Sequence, residues 1–122
     1  MTPAAFPLTA LSRVVFAVAL AAGLWLSLQP APDVPKWLDW QDKLEHVAFF
    51  VLLALLGMAG WPARTAALAV GLLGYGLVME VAQSFTVYRR GDPWDWVADA
   101  CGVAVGLLLA RALRRRRVRR AA

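Results

Sequence analysis

The sequence predicts an all-α membrane protein, a bundle of four transmembrane helices with both termini on the cytoplasmic side. Hydrophobic residues make up 61% of its 122 residues, and the mean hydropathy is +0.59. A water-soluble chain of this length would expose more polar surface than these residues supply. Four apolar stretches are each close to the ~20 residues that a helix needs to cross the hydrocarbon core. We expect one domain, because 122 residues are too few for two independent cores.

The four helices are predicted at about residues 11–28, 44–60, 65–85 and 95–113, followed by a basic cytoplasmic tail over 114–122. Only the short connection 61–64 separates the second helix from the third, so we expect these two helices to be antiparallel neighbours. The first stretch also resembles a signal peptide, since Arg13 precedes its apolar run. The small-residue cleavage pattern is poorly matched after that run, which favours a helix that is retained.

Charged residues are sorted by side, and the sorting predicts the orientation. The acidic residues all lie in or beside the two connections that leave one face, at Asp33, Asp39, Asp42, Glu45, Glu80, Asp92, Asp95 and Asp99. The opposite face holds Arg13, Arg64 and the arginines from Arg111 to Arg120. Basic residues favour the cytoplasmic side, so both termini are expected inside. The same arginines account for the net charge of +5, and we expect no nucleic-acid partner.

Polar residues inside the apolar helices mark the candidate site. They form pairs three or four residues apart near the outer ends of the second, third and fourth helices: Asp42 and His46, Glu80 and Gln83, Asp95 and Asp99. Residues at this spacing share a helix face, and ionisable groups at membrane depth are costly without a partner. We therefore expect these side chains to face one another in a polar pocket open to the outside. The expected contact between the second and fourth helices joins His46 to Asp95 or Asp99.

Glycines continue these polar faces toward the inner side. Gly102 and Gly106 extend the face of Asp95 and Asp99, and the third helix carries Gly71, Gly74 and Gly76. Small residues at such spacings let neighbouring helices approach closely. We expect both rows to make close helix contacts and to form the floor of the pocket together with Tyr75.

Each polar residue also has a purely structural interpretation. Asp42 suits the first turn of a helix, where a negative charge complements the helix dipole. His46 alone would serve as a packing residue that hydrogen-bonds a carbonyl, and Glu80 alone would pair with Arg89 or Arg90. The shared cluster is favoured because a lipid-facing carboxylate would be expensive.

Four motifs together resemble those of the VanZ-like membrane proteins: Asp-Lys-x-x-His at 42–46, Glu-x-x-Gln at 80–83, an arginine at 89 or 90, and Asp-x-x-x-Asp-x-x-Gly at 95–102. The resemblance covers residues 41–109, and the first helix fits by position. Family members commonly carry Asn where this chain has Asp99, so this chain adds a carboxylate there. The resemblance implies a small multi-pass protein of the bacterial cytoplasmic (inner) membrane. It also implies an association with teicoplanin resistance, whose mechanism is unsettled.

The first of three function classes is a binding module for an anionic lipid headgroup, a lipid-linked envelope precursor or a lipoglycopeptide. Lys43, Arg89 and Arg90 would grip phosphate or carboxylate at the mouth of the pocket, with Arg offering a bidentate fork. Membrane lipids are the expected partners. The candidate ligand-binding residues are Asp42, Lys43, His46, Glu80, Gln83, Arg89, Arg90, Asp95 and Asp99.

Two other classes stay open beside it. His46, Glu80 and Asp95 are candidates for acid–base catalysis on an envelope lipid, and the same kinds of side chain could hold a divalent metal. No nucleophile is evident beside them, since Ser84 is the nearest hydroxyl, and whether the protein is an enzyme is left open. In the third class the polar cluster only joins helices in a structural partner subunit.

Overall fold

The computed structural model describes residues 7–30, 40–87 and 92–122, which form four α-helices. They are α1 (Leu8–Ser27), α2 (Gln41–Gly60), α3 (Thr65–Ser84) and α4 (Pro93–Ala121). Each is long and apolar enough to cross a membrane, and the described ranges contain no strand. The predicted all-α, four-helix membrane class is confirmed.

The structure extends three of the predicted helices. α1 and α2 each begin three residues earlier than the sequence suggested, and α4 continues to Ala121. The residues predicted as a basic tail therefore form the last turns of α4, because arginine is a good helix former and neither Gly nor Pro interrupts the run. At the other end, Pro93 occupies the first turn and the Asp92 side chain accepts a hydrogen bond from the Trp94 amide, a favourable helix start.

The helix α2 is at the centre of the bundle. Its Phe50, Leu53 and Ala54 are fully buried, and they form the core with Leu72 of α3 and Val103 of α4. The helix α1 lies at the periphery, where Ser27 is its one buried residue. The arrangement places one face of α2 against α4 and leaves α1 and α3 to cover its other sides.

Glycines set how closely α2 and α4 approach. A Cβ atom added at Gly102 would lie 2.5 Å from the Val47 carbonyl oxygen, and one added at Gly106 would lie 2.5 Å from the Ala54 Cβ. The predicted close contact along this face of α4 is confirmed. The prediction for Gly71 and Gly74 is wrong, because both face open space.

Arginines gather at the end of the bundle that contains the α2–α3 connection. The Arg13 guanidinium donates to the Gly60 carbonyl at 2.9 Å and lies 5.1 Å from the centre of the Trp61 ring. Arg114 donates to the Pro62 carbonyl at 3.2 Å. The structure therefore separates a basic end from the end where α4 begins. The cytoplasmic location of the basic end stays a prediction.

We expect Gly102→Ala to destabilise the protein and Gly74→Ala to be neutral or stabilising. The new methyl group at position 102 meets the backbone of α2, whereas the one at position 74 meets nothing within 4 Å. Overpacking of this kind costs typically about 1–3 kcal/mol, and alanine is the better helix former. Thermal unfolding of both variants in the same detergent is the measurement. Equal midpoints would show that α2 and α4 are not in close contact at Gly102.

Candidate functional site

The start of α4 is tied to the start of α2 by one amine and two carboxylates. Lys43 Nζ lies 2.8 Å from Asp92 Oδ2 and 2.5 Å from Asp95 Oδ1. The hydrogen bond from Lys43, together with the one from the Trp94 amide, lowers the pKa of Asp92 below its usual range. Lys43 thus already has two anionic partners in this structure.

One turn deeper, His46 joins the same two helices. Its Nδ1 atom lies 2.6 Å from Asp99 Oδ1, and its Nε2 atom lies 3.9 Å from Asp95 Oδ2. Asp99 is fully buried. This is the contact between α2 and α4 that the sequence predicts. Lys43 and His46 are three residues apart on α2, and Asp95 and Asp99 are four apart on α4. Each pair therefore shares one face of its helix, and the two faces meet.

Glu80 reaches the same place from α3. It is buried, and its Oε2 atom accepts a hydrogen bond from the Asp92 amide at 3.2 Å. Ligand-type atoms of His46, Glu80 and Asp99 all lie within 4.8 Å of one another. We call the six residues joined in this way the polar cluster: Lys43, His46, Glu80, Asp92, Asp95 and Asp99.

Two buried carboxylate oxygens of the polar cluster have no hydrogen-bond partner in the described part of the chain. They are Glu80 Oε1 and Asp99 Oδ2, and both atoms are buried. Gly76 makes room for the second, since a Cβ atom there would lie 2.9 Å from Asp99 Oδ2. An unpaired buried polar atom costs free energy, most of all when it carries charge. Each such atom therefore calls for an explanation.

A cavity of about 280 Å³ adjoins the polar cluster between α1, α2 and α3. Its lining is polar at Ser27, Glu45, His46 and Gln83, and apolar at residues such as Ala22 of α1. His46 belongs to both the cavity and the cluster. The wall of this cavity thus changes from polar to apolar, and the outward-facing binding pocket stays a prediction.

Two residues predicted at the pocket hydrogen-bond the backbone of α1. The Gln83 amide donates to the Ser27 carbonyl at 3.0 Å, and the Tyr75 hydroxyl donates to the Leu20 carbonyl at 2.7 Å. Ser27 ends α1, where the last carbonyls lack partners within the helix. Gln83 therefore lines the cavity but binds α1, and the expectation that it faces the carboxylates is wrong.

The remaining predicted residues are placed as follows. Asp42 is half-buried in the first turn of α2. Arg89 and Arg90 lie outside the described residues. Asp92 belongs to the cluster although it is not among the candidate residues predicted from the sequence. The sequence signal is that an aspartate directly before a proline is a favourable helix cap. This signal could have placed the Asp92 side chain at the start of α4.

The fold and the polar cluster define a multi-pass helical membrane protein with ionisable groups buried between three of its helices. The sequence model of the VanZ/LLP1 family matches residues 7–114, and the chain belongs to this family. It is 33% identical over 112 residues to an uncharacterized protein of Schizosaccharomyces pombe, an alignment that covers 85% of this chain and 65% of the relative. The chain thus spans about two thirds of the length of this curated relative. No solved structure matches the chain.

The yeast origin of this relative bears on the expected location. A multi-pass membrane protein is supported by the four apolar helices and by the family match. The bacterial cytoplasmic membrane remains an expectation, because a relative of this chain comes from a yeast.

We expect Lys43→Met to lower the unfolding temperature at neutral pH, because it leaves two carboxylates without their shared cation. The folded-state pKa of Asp92 is depressed, so its contribution is present above the usual aspartate range and is lost as pH falls through the depressed pKa. The difference between wild type and variant should therefore shrink in acid. Thermal unfolding across pH measures this difference, with Ser84→Ala, at an exposed residue of α3 outside the polar cluster and the cavity, as the control. A difference that is absent at neutral pH would contradict this account of Lys43.

Proposed function

We propose that this protein binds a membrane amphiphile, a lipid or lipid-linked molecule, with the polar head at the polar cluster and an apolar chain in the adjoining cavity. The observation that carries the proposal is the change of the cavity wall from polar to apolar, with His46 at the point where the cavity meets the cluster. In such a cavity the polar end of an amphiphile contacts the polar part of the wall, and its apolar end contacts the apolar part.

The lipid phase is the expected source of the ligand. The cavity is bounded by α1, α2 and α3, each of which is apolar enough to span the membrane. On α1 the lining residues Ala19, Ala22, Gly23 and Leu26 recur at helical spacing, so one face of this peripheral helix borders the cavity. Small side chains on that face leave space beside α2. An acyl chain that moved from the bilayer into this space would stay in contact with apolar groups.

The chemistry of the head follows from the charges. Within the described residues the polar cluster has four carboxylates, and its one lysine already contacts two of them. Hydroxyl or amine groups of the head would therefore meet carboxylates. We expect Arg89 or Arg90, which precede the cluster residue Asp92 by three and two positions in the sequence, to bind a phosphate or carboxylate of the head, because arginine can bind such a group bidentately. A lipoglycopeptide or a lipid-linked envelope precursor belongs to the same chemical class, and binding of one would account for an effect on teicoplanin sensitivity.

Acid–base catalysis on the bound lipid is a second candidate. It is favoured by the short contact between His46 and Asp99, since a buried carboxylate that orients an imidazole is typical of a general base. Ser84 is not a nucleophile for this base, because it is exposed and its hydroxyl donates to the Val81 carbonyl of its own helix. Incubation of the protein with labelled bacterial or yeast lipids would separate the two candidates, since only catalysis yields a new product.

We expect Ala22→Leu to reduce lipid binding because the larger side chain enters the cavity. Ala21→Leu is the matched control, since Ala21 does not line the cavity and receives the same added volume. Lipid that remains with each purified variant is identified and counted by mass spectrometry. Loss of a particular lipid in Ala22→Leu alone, with unchanged unfolding temperatures, supports the proposal. Equal lipid content in both variants and wild type would contradict it.

A further inference from the structure

We propose that His46, Glu80 and Asp99 form a binding site for a divalent transition-metal ion between α2, α3 and α4. The site draws one residue from each of three helices, and its ligands are one imidazole and two carboxylates.

The spacing of the side chains brings them near enough for a single ion after the side chains adjust. One ligand atom from each residue lies within 4.8 Å of the others. Zinc binds imidazole nitrogen and carboxylate oxygen at about 2.0–2.2 Å, so two ligands of a tetrahedral ion are about 3.3–3.6 Å apart. His46 Nδ1 and Asp99 Oδ1, at 2.6 Å, must move apart by about 1 Å to admit the ion, and Glu80 must approach by up to about 1.5 Å. Changes in side-chain torsions can supply both movements.

The two unpartnered oxygens are the second observation, independent of the spacing. Glu80 Oε1 and Asp99 Oδ2 have no hydrogen-bond partner among residues 7–30, 40–87 and 92–122, although Glu80 is only 7% exposed and Asp99 is 0% exposed. A cation satisfies both carboxylates at once, which helix packing alone does not.

The surroundings of His46 suit a ligand. If Nδ1 binds the ion, Nε2 carries the proton and faces Asp95 Oδ2, 3.9 Å away. Asp95 is in turn held by Lys43 at 2.5 Å. A carboxylate that accepts from the second nitrogen of a metal-bound histidine fixes the tautomer and the orientation of the ring. Asp95 would become such a positioning residue once this distance shortens to that of a hydrogen bond, and the proton between His46 Nδ1 and Asp99 must leave this position before the ion binds there.

The ligand types select the class of ion. Imidazole suits zinc and other transition metals, whereas carboxylate and carbonyl oxygens alone suit magnesium and calcium. Glu80 and Asp99 are also the two carboxylates of the polar cluster that Lys43 does not contact. A divalent ion at this place would offset their charge. The coordination positions of the ion that the protein leaves open would attract the phosphate of a lipid headgroup. This consequence rests on the proposed lipid binding, whereas the metal site itself does not depend on it.

The test uses the full chain, purified in detergent and stripped of metal with a chelator. Zn²⁺ is titrated by calorimetry, and the bound metal is counted by mass spectrometry after desalting. We expect one Zn²⁺ per chain, with affinity that falls as the pH is lowered because the ion competes with a proton. Glu80→Gln and Asp99→Asn should each weaken binding by at least about ten-fold. Ser84→Ala, at an exposed residue of α3 outside both the polar cluster and the cavity, is the control and should bind as wild type does.

A variant that misfolds would also lose the metal, so the wild type provides a second readout. Cu²⁺ bound to the stripped protein should show coupling to an imidazole nitrogen in pulsed electron paramagnetic resonance. Absence of stoichiometric metal in folded wild type, or undiminished binding in both Glu80→Gln and Asp99→Asn, would overturn the site. Lipid content is measured in parallel on stripped protein. Lipid that binds to protein unable to bind Zn²⁺ would reject only the metal site, and metal without any lipid would reject only the proposed function.

Discussion

The buried contact between His46 and Asp99 is the interaction on which the rest of the structure depends. Asp99 has no exposure to solvent, and a carboxylate placed among apolar helices is expensive without a partner. His46 Nδ1, at 2.6 Å, is that partner. The contact fixes the register of α4 against α2. A slip of one residue along either helix would rotate one side chain away from the other by about 100°, which follows from 3.6 residues per turn.

The close approach of the two helices and the polar contact support each other. Gly102 lies one turn beyond Asp99, and its lack of a side chain lets α4 meet the backbone of α2 at Val47. At that distance the short aspartate side chain reaches the imidazole directly. Toward the end of the bundle where α4 begins, the longer side chain of Lys43 reaches Asp92 and Asp95. The pairs therefore form two layers, with the more exposed lysine contacts outside and the buried histidine contact inside.

Much of this arrangement was predictable because the membrane limits the alternatives. Apolar length alone identifies the helices, and the cost of charge predicts that His46 meets the carboxylates of α4. Helical periodicity tells which residues share a face, but it does not tell which neighbour that face meets. Gln83 was therefore assigned to the carboxylates although it binds the end of α1. The helix α1 has no ionisable group at that end, so its position could not be inferred from charge.

Glycine spacing was ambiguous for the same reason. Gly71 and Gly74 share their helix with Gly76, yet only Gly76 lies against another helix. The sequence predicts a fourth helix that is too short, because the arginines indicate only that the segment lies outside the bilayer. They do not indicate where the helix ends. Charge predicts where a segment lies relative to the bilayer, whereas backbone conformation depends on propensity and on the absence of Gly and Pro.

A double-mutant cycle on His46 and Asp99 tests the central claim most directly. The free energy of unfolding is measured in one detergent for wild type, His46→Gln, Asp99→Asn and the double variant. Buried polar pairs in membrane proteins have shown coupling energies averaging about 0.6 kcal/mol and reaching about 1.7 kcal/mol. For a fully buried carboxylate we expect a favourable coupling at the upper end of this range, above about 1 kcal/mol. Additive effects of the two substitutions would contradict the account, because the register of α2 and α4 would then not depend on this contact.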